Sequence, residues 1–360
     1  MDLDGRLQPV QPAGNLRTLG TPAPGNIPGA RISAVSWIDK AGIFWLFGGL
    51  GIDGSGRSEY LNDLWRYSKG QWTWMGGPRI SLQSTPGIYG TQGTPDPANL
   101  PGARANAASW TDPSGVFWLF GGYGADSTGA LGDLNDLWNY SAGQWTWVSG
   151  SNLADQPGVY GTQGVPAPGN VPSGRYEASG WVDTSGALWL FGGTDGKTGR
   201  NGSPATFTLH NDLWKFSNGQ WAWMAGSSAT DQAGVYGTQG VASAANTPGA
   251  RVAAATWTTS DGALWLFGGN ARDATRNIGF LNDLWKFSNG QWTWVNGSNL
   301  RDAPGNYGTQ GVAATGNTPG GRIGEAVWVD SSGTPFIFGG DGIITGTSVV
   351  YLNDLWQYQP

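Results

Sequence analysis

The sequence predicts an all-β fold assembled from five four-stranded antiparallel sheets, on three observations. One block recurs five times at a nearly fixed period. Its apolar runs are short and are separated by turn residues, and no stretch shows sustained helical spacing of apolar side chains.

The register of the repeats is set by recurring landmarks. Arg31, Arg104, Arg175, Arg251 and Arg322 each stand 17 residues before the first Gly of an FGG triplet, at Gly48, Gly121, Gly192, Gly268 and Gly339. An NDLW Trp follows that Gly by 17 residues at Trp65, Trp138, Trp285 and Trp356, and by 22 at Trp214, so the third copy holds an insertion. Nine residues further on come Trp74, Trp147, Trp223 and Trp294, a point that the fifth copy does not reach before Pro360.

Each strand follows from its flanking turns. Strand a of the first copy is RISAVSW, and the turn Asp39 to Gly42 leads into strand b, IFWLFGG. The turns DPSG, DTSG, TSDG and DSSG hold the same place in the other copies, as tight hairpins require. Strand c is LNDLWRY, and the links SKG, SAG, SNG and SNG lead to strand d, QWTWM in the first copy. Four antiparallel strands per block is the unit of a propeller blade.

A chain of 360 residues ordinarily suggests two domains, but a closed ring of repeats forms one. The expectation is a single domain over 1–360, with blades at about 31–75, 104–148, 175–224, 251–295 and 322–360. The fifth blade then takes its strand d from Arg6 to Val10, because the spacing of the complete copies makes one circuit about as long as the chain. Pro9 suits such an outer edge.

Two Gly after an apolar strand, then Tyr or Phe, six residues and Trp, resemble the kelch signature. Gly48 and Gly49 with Tyr67 and Trp74 carry it in the first copy, and Tyr140 with Trp147, Phe216 with Trp223 and Phe287 with Trp294 repeat the spacing. The resemblance covers essentially the whole chain, although a block of about 72 residues exceeds the usual kelch length of about 50. It implies a five-bladed kelch-type propeller. Copper radical oxidases share this propeller type, but they need a Cys joined to Tyr together with His ligands. With no Cys and one His, that activity is excluded.

Composition narrows the function further. The net charge of −6 and the absence of any Lys/Arg block argue against nucleic acid. No apolar stretch approaches the roughly 20 residues of a membrane-spanning helix, so no membrane insertion is expected. Met1 to Gly14 lacks the regions of a signal peptide, so any export signal was removed or never existed. Absence of Cys rules out disulfides while leaving the compartment open. The 22 Trp recur with the repeat, which assigns them to blade packing in preference to sugar platforms.

Candidate sites follow from topology and from departures between copies. The short a-to-b and c-to-d turns lie on one face, which leaves the long segments to the other, expected binding face. The d-to-a segment is nearly constant, with YGTQG at Tyr89, Tyr160, Tyr236 and Tyr307, and reads as structural. The b-to-c loops vary, and specificity would reside there.

The kelch resemblance implies a ring of Arg31, Arg104, Arg175, Arg251 and Arg322 lining a ligand pocket. The favoured alternative pairs each Arg with the NDLW Asp of a blade: Asp63, Asp136, Asp212, Asp283 or Asp354. Glu177 and Glu325, in strand a, are the carboxylates that break the repeat, and Glu325 replaces an Ala. Alternation along the strand separates them, which weakens an acid/base pair. His210, the only His, replaces a Leu at a loop end. Asp53 in DGSG and Asp126 are the candidate ligands for calcium, the one cofactor the sequence suggests, though the full ligand spacing is missing.

Together these readings give a secreted or cell-surface, monomeric, non-catalytic recognition module with glycans as the leading ligand. A glycan-active epimerase or lyase using Glu177 or Glu325, and a protein or peptide scaffold, are the alternatives.

Overall fold

A computed structural model describes residues 18–81, 84–197, 206–344 and 348–359. The described residues are all β, with no helix, and antiparallel four-stranded sheets recur along the chain in a β-propeller-like arrangement. Arg6 to Val10, expected to complete the fifth repeat, lies outside the described residues. The chain divides into two compact units, Met1–Pro157 with Ser173–Tyr176, and Gly158–Pro172 with Glu177–Pro360.

In the first unit, repeat 1 comprises β1 (Arg31–Ile32), β2 (Val35–Ile38), β3 (Phe44–Ile52), β4 (Ser58–Ser68) and β5 (Gln71–Gly76). Repeat 2 comprises β6 (Arg104–Ala105), β7 (Ala108–Thr111), β8 (Phe117–Phe120), β9 (Tyr123–Ala125), β10 (Leu131–Asp133), β11 (Leu137–Ser141) and β12 (Gln144–Ser149). The sheet β7-β8-β11-β12 has the order a-b-c-d expected from the sequence, and β6-β9-β10 forms a separate inner sheet.

In the second unit, repeat 3 comprises β13 (Ser179–Val182), β14 (Leu188–Phe191), β15 (Thr194–Lys197), β16 (Thr206–Leu209), β17 (Leu213–Ser217) and β18 (Gln220–Ala225). Repeat 4 comprises β19 (Arg251–Val252), β20 (Ala255–Thr258), β21 (Leu264–Phe267), β22 (Asn270–Arg272), β23 (Ile278–Phe280), β24 (Leu284–Ser288) and β25 (Gln291–Asn296). Repeat 5 comprises β26 (Arg322–Ile323), β27 (Ala326–Val329), β28 (Pro335–Ile343) and β29 (Val349–Gln357).

Strand a is not the continuous run that the sequence suggested. Ser33, Asn106, Glu177, Ala253 and Gly324 stand in the left-handed region, with φ between 52° and 69°. Each kink divides strand a into an inner piece carrying Arg and an outer piece carrying Trp. The FGG glycines make the matching bend in strand b: a Cβ on Gly122 would lie 2.7 Å from Ala105 O, so only Gly allows that approach.

The Trp residues pack as repeat-forming core. Trp65 and Trp138 are fully buried in the first unit and Trp214 and Trp285 in the second. Trp37 of repeat 1 stacks on Phe117 of repeat 2 with centroids 3.7 Å apart, which joins the two sheets face to face. The hairpin Asp39, Asp112 and Asp183 each accept the indole N–H of a strand b Trp at 2.9 Å, so the recurring turn also orients the core. Repeat 5 is more open. Trp328 and Phe338 are 43% and 45% exposed, against 7% and 1% for Trp37 and Phe47 at the same positions.

The d-to-a segments do not stay on one face. Gly93 N–H donates to Trp147 O at 2.7 Å and Asn99 Nδ2 to Trp145 O at 3.1 Å, so the segment runs along the outer edge of the following repeat's strand d. Gly164 and Asn170 do the same to Trp223 and Trp221, and Gly240 and Asn246 to Trp294 and Trp292. An edge that would otherwise present free backbone groups is covered by the chain's own linker.

Candidate functional site

Five arginines recur without exception at the start of strand a. Arg104 donates from Nε to Gly102 O (3.0 Å), from Nη1 to Gly121 O (2.9 Å) and Asp136 Oδ1 (2.6 Å), and from Nη2 to Asp136 Oδ2 (2.7 Å). The same Oδ2 accepts Trp138 Nε1–H and Tyr89 O–H, each at 2.7 Å. Arg31 with Asp63, Arg251 with Asp283 and Arg322 with Asp354 reproduce the bidentate pair. Arg175 is equally buried and donates to Ser173 O and Oγ.

A guanidinium with almost every N–H engaged inside the protein fastens strand a to strands b and c. It offers little to a ligand, and the expected Arg-lined binding ring is a set of internal staples. Burial, reinforced by the Asp136 charge, holds the Tyr89 phenol far above its ordinary range, so it remains a donor. Burial opposes ionisation of Asp354, but Arg322 and then Trp356 outweigh it and lower that carboxyl to about 2.

Asp53 and Asp126 serve their own turns. Asp126 Oδ1 accepts Thr128 N–H, Thr128 Oγ1–H and Ala130 N–H, and Oδ2 accepts Ala154 N–H. Asp53 accepts the corresponding bonds from Ser55, Arg57 and Ser81. Burial pushes against ionisation at both, and these hydrogen bonds override it and lower both pKa values. Carboxylates ringed by N–H donors are poorly placed as calcium ligands, and among the described residues no group of three His, Cys, Asp or Glu could hold a metal.

Glu177 occupies the left-handed kink of repeat 3, with φ of 55°, and burial raises its pKa. Glu325 follows the kink of repeat 5, where the other repeats carry Ala34, Ala107, Ala178 and Ala254. Both of its carboxyl oxygens are buried without a hydrogen-bond partner. Burial raises its pKa to about 7; the nearby N–H groups of Glu325 and Ala255 and the charge of Arg322 oppose this without forming a hydrogen bond. No described contact joins Glu325 to Glu177. His210 is buried, with Nε2 3.4 Å from Asp195 Oδ2.

One constellation was missed in the sequence. In the first unit Tyr60 near the start of β4, Tyr123 on β9 and Tyr176 beside Arg175 make successive ring contacts. Tyr60 and Tyr123 have centroids 5.6 Å apart at 49°, and Tyr123 and Tyr176 6.1 Å apart at 80°. All three are half-buried; Tyr60 is the third residue of β4, near its b-to-c loop, whereas Tyr123 opens β9 at the end remote from its loop.

The three come from different positions of three repeats, so counting by column does not reveal them. Tyr123 and Tyr176 depart from the repeat, with Leu50, Thr194, Asn270 and Asp341 opposite Tyr123 and Ile32, Ala105, Val252 and Ile323 opposite Tyr176, whereas Tyr60 shares its column with Tyr351 and Phe280. A series of contacting rings with phenol edges offers both C–H contact and hydrogen bonding.

No protein-family model matches the chain, and no curated protein matches it in sequence. Solved structures do. YjhT, a β-propeller-like protein, superposes with a TM-score of 0.52 at 15% identity over 92% of this chain and 81% of its own. A fungal alcohol oxidase of the AA5 family, in complex with copper, gives 0.41 at 12% identity over 92% of this chain and 62% of its own. An endo-arabinase from Bacteroides thetaiotaomicron gives 0.40 at 12% identity over 91% and 94%. At this identity the likeness to YjhT is one of fold alone, and it places the repeats among β-propeller-like proteins.

Proposed function

We propose that this chain is a five-bladed kelch-type propeller, closed by Arg6 to Val10 as the last strand, acting as a non-catalytic glycan-recognition module of the cell surface or the extracellular space. The tyrosine track of Tyr60, Tyr123 and Tyr176 carries the reading. Its rings suit the C–H faces of sugars, its hydroxyls suit their oxygens, and a net charge of −6 favours neutral over anionic glycans.

A broad glycan array, with and without calcium, tests this directly. Selective binding is expected, and Tyr123→Ala should weaken it roughly tenfold, or about 1.4 kcal/mol, with little change in melting. Blank arrays in both conditions would sink the reading.

A second reading rests on Glu325. A buried carboxyl titrating at about 7 is poised for general acid/base work, as a glycan epimerase or lyase requires. Loss of turnover in Glu325→Gln with retained glycan binding would favour it. The peptide-scaffold reading is less favoured, because Arg31, Arg104, Arg251 and Arg322 are committed to internal ion pairs and Arg175 is buried against Ser173.

A further inference from the structure

Within the first unit, the outer junction of repeats 1 and 2 holds a cleft of about 130 Å³, walled by Leu64, Met75, Gly76, Tyr140, Gln144 and Trp145 among others. No charged side chain lines it. That volume is of the order of the roughly 150 Å³ cavity that accepts a benzene ring, and the cleft is open to solvent, so a sugar ring would seat one face in it and leave the rest in water.

Two residues distinguish this junction. Gly76 stands where repeats 2, 3 and 4 carry Ser149, Ala225 and Asn296, and the missing side chain opens the cleft. Tyr140 stands where repeats 3 and 4 carry Phe216 and Phe287, so a hydroxyl is present here that those repeats lack. It makes no hydrogen bond with a described residue, and its pKa, pushed up to about 12 by burial against the pull of Arg66, keeps it a donor.

A further donor lies beneath the wall, sealed from solvent. Trp145 is 3% exposed and its Nε1–H has no partner. Trp292 shares that orphan N–H, but Ala225 and Phe287 occupy the positions of Gly76 and Tyr140 at its junction. Aromatic and aliphatic side chains beside an amide and a phenol, with no charge, describe one ligand chemistry.

We propose that this cleft binds a single neutral pyranose ring, packed on Tyr140 and held through Tyr140 and Gln144. It shares no residue with the tyrosine track, and it stands or falls independently of it.

The test is saturation-transfer NMR with the methyl pyranosides of glucose, galactose and xylose at about 10 mM, suited to a Kd of about 1 mM. Transfer from the wild-type protein to at least one of them is expected. Gly76→Asn, which installs the residue of repeat 4, should reduce it at least roughly fivefold, and Tyr140→Phe about threefold or more. A Cβ at position 76 meets only Leu64 Cβ at 3.8 Å, so the fold should tolerate the change, and Gly76→Ser provides a smaller filling side chain.

Tyr123→Ala should leave this transfer intact, which separates it from binding on the track. No transfer to any of the three pyranosides, or transfer that survives both fillings of position 76 in folded protein, overturns the proposal.

Discussion

Replacing Glu325 with Ala, the residue of the other four repeats, should stabilise the protein in a pH-dependent way. The carboxyl has an ordinary pKa of 4.5 and is raised to about 7 in the fold, chiefly by burial. At about 1.36 kcal/mol per pH unit, holding it ionised costs about 3 kcal/mol.

The sign follows from proton binding. Between about pH 4.5 and 7 the folded state holds the proton that the unfolded chain has released, so stability falls as pH rises through this window and levels off above it. Glu325→Ala should therefore match the wild type near pH 4 and exceed it by about 3 kcal/mol at pH 8.5. If all 360 residues unfold together at about 2.1 cal/mol/K each, that is a rise in Tm of about 4 °C. Denaturant melts of both proteins across the range give the difference directly. Parallel curves from pH 4 to 8.5 would refute the claim that this carboxyl is buried without a partner.

The staples and the linker make three further predictions. Asp136→Asn leaves Arg104 buried without its counter-charge and should cost about 3–5 kcal/mol in urea unfolding; a cost under about 1 kcal/mol would deny the pair its role. Tyr89→Phe removes a buried bond to an ionised acceptor and should cost about 1.5–3 kcal/mol, whereas Tyr307→Phe, 41% exposed in the same contact, should cost less than about 0.5 kcal/mol. Equal costs would show that burial does not set the strength of this bond. Deleting Met1 to Val10 should lower the melting temperature strongly if that segment completes repeat 5, and unchanged melting counts against closure.

Much of this architecture was legible from spacing, because each recurring interval corresponds to a physical contact. The 17 residues from Arg31 to Gly48 span the reach of Nη1 to that Gly carbonyl, and the Asp of NDLW meets the same guanidinium. The turn Asp was legible as a turn, though not as the acceptor for Trp45. What stayed hidden depends on three-dimensional direction.

Ala253 and Ser33 give no sequence hint of a left-handed kink, although Asn106 and Gly324 in the same column are residues that adopt it readily. The path of the YGTQG linker is fixed by backbone carbonyls, which carry no sequence signature. Tyr60, Tyr123 and Tyr176 belong to three different columns of the repeat, and only the sheet geometry brings them into contact.

The bond from Tyr89 to Asp136 changes where one copy of the block begins. Counted from Arg to linker, each copy would leave its tyrosine behind in the neighbour. Counted from YGTQG to the strand d Trp, each copy carries its own lock: Tyr89 with Asp136, Tyr160 with Asp212, Tyr236 with Asp283 and Tyr307 with Asp354. Of the three points where the chain passes between compact units, the first, Pro157 to Gly158, falls just ahead of Tyr160, while the others lie on either side of Ser173–Tyr176. A gene that duplicates in that frame transmits a finished part rather than two halves, and anyone lengthening, shortening or transplanting this array should cut immediately before the YGTQG tyrosine.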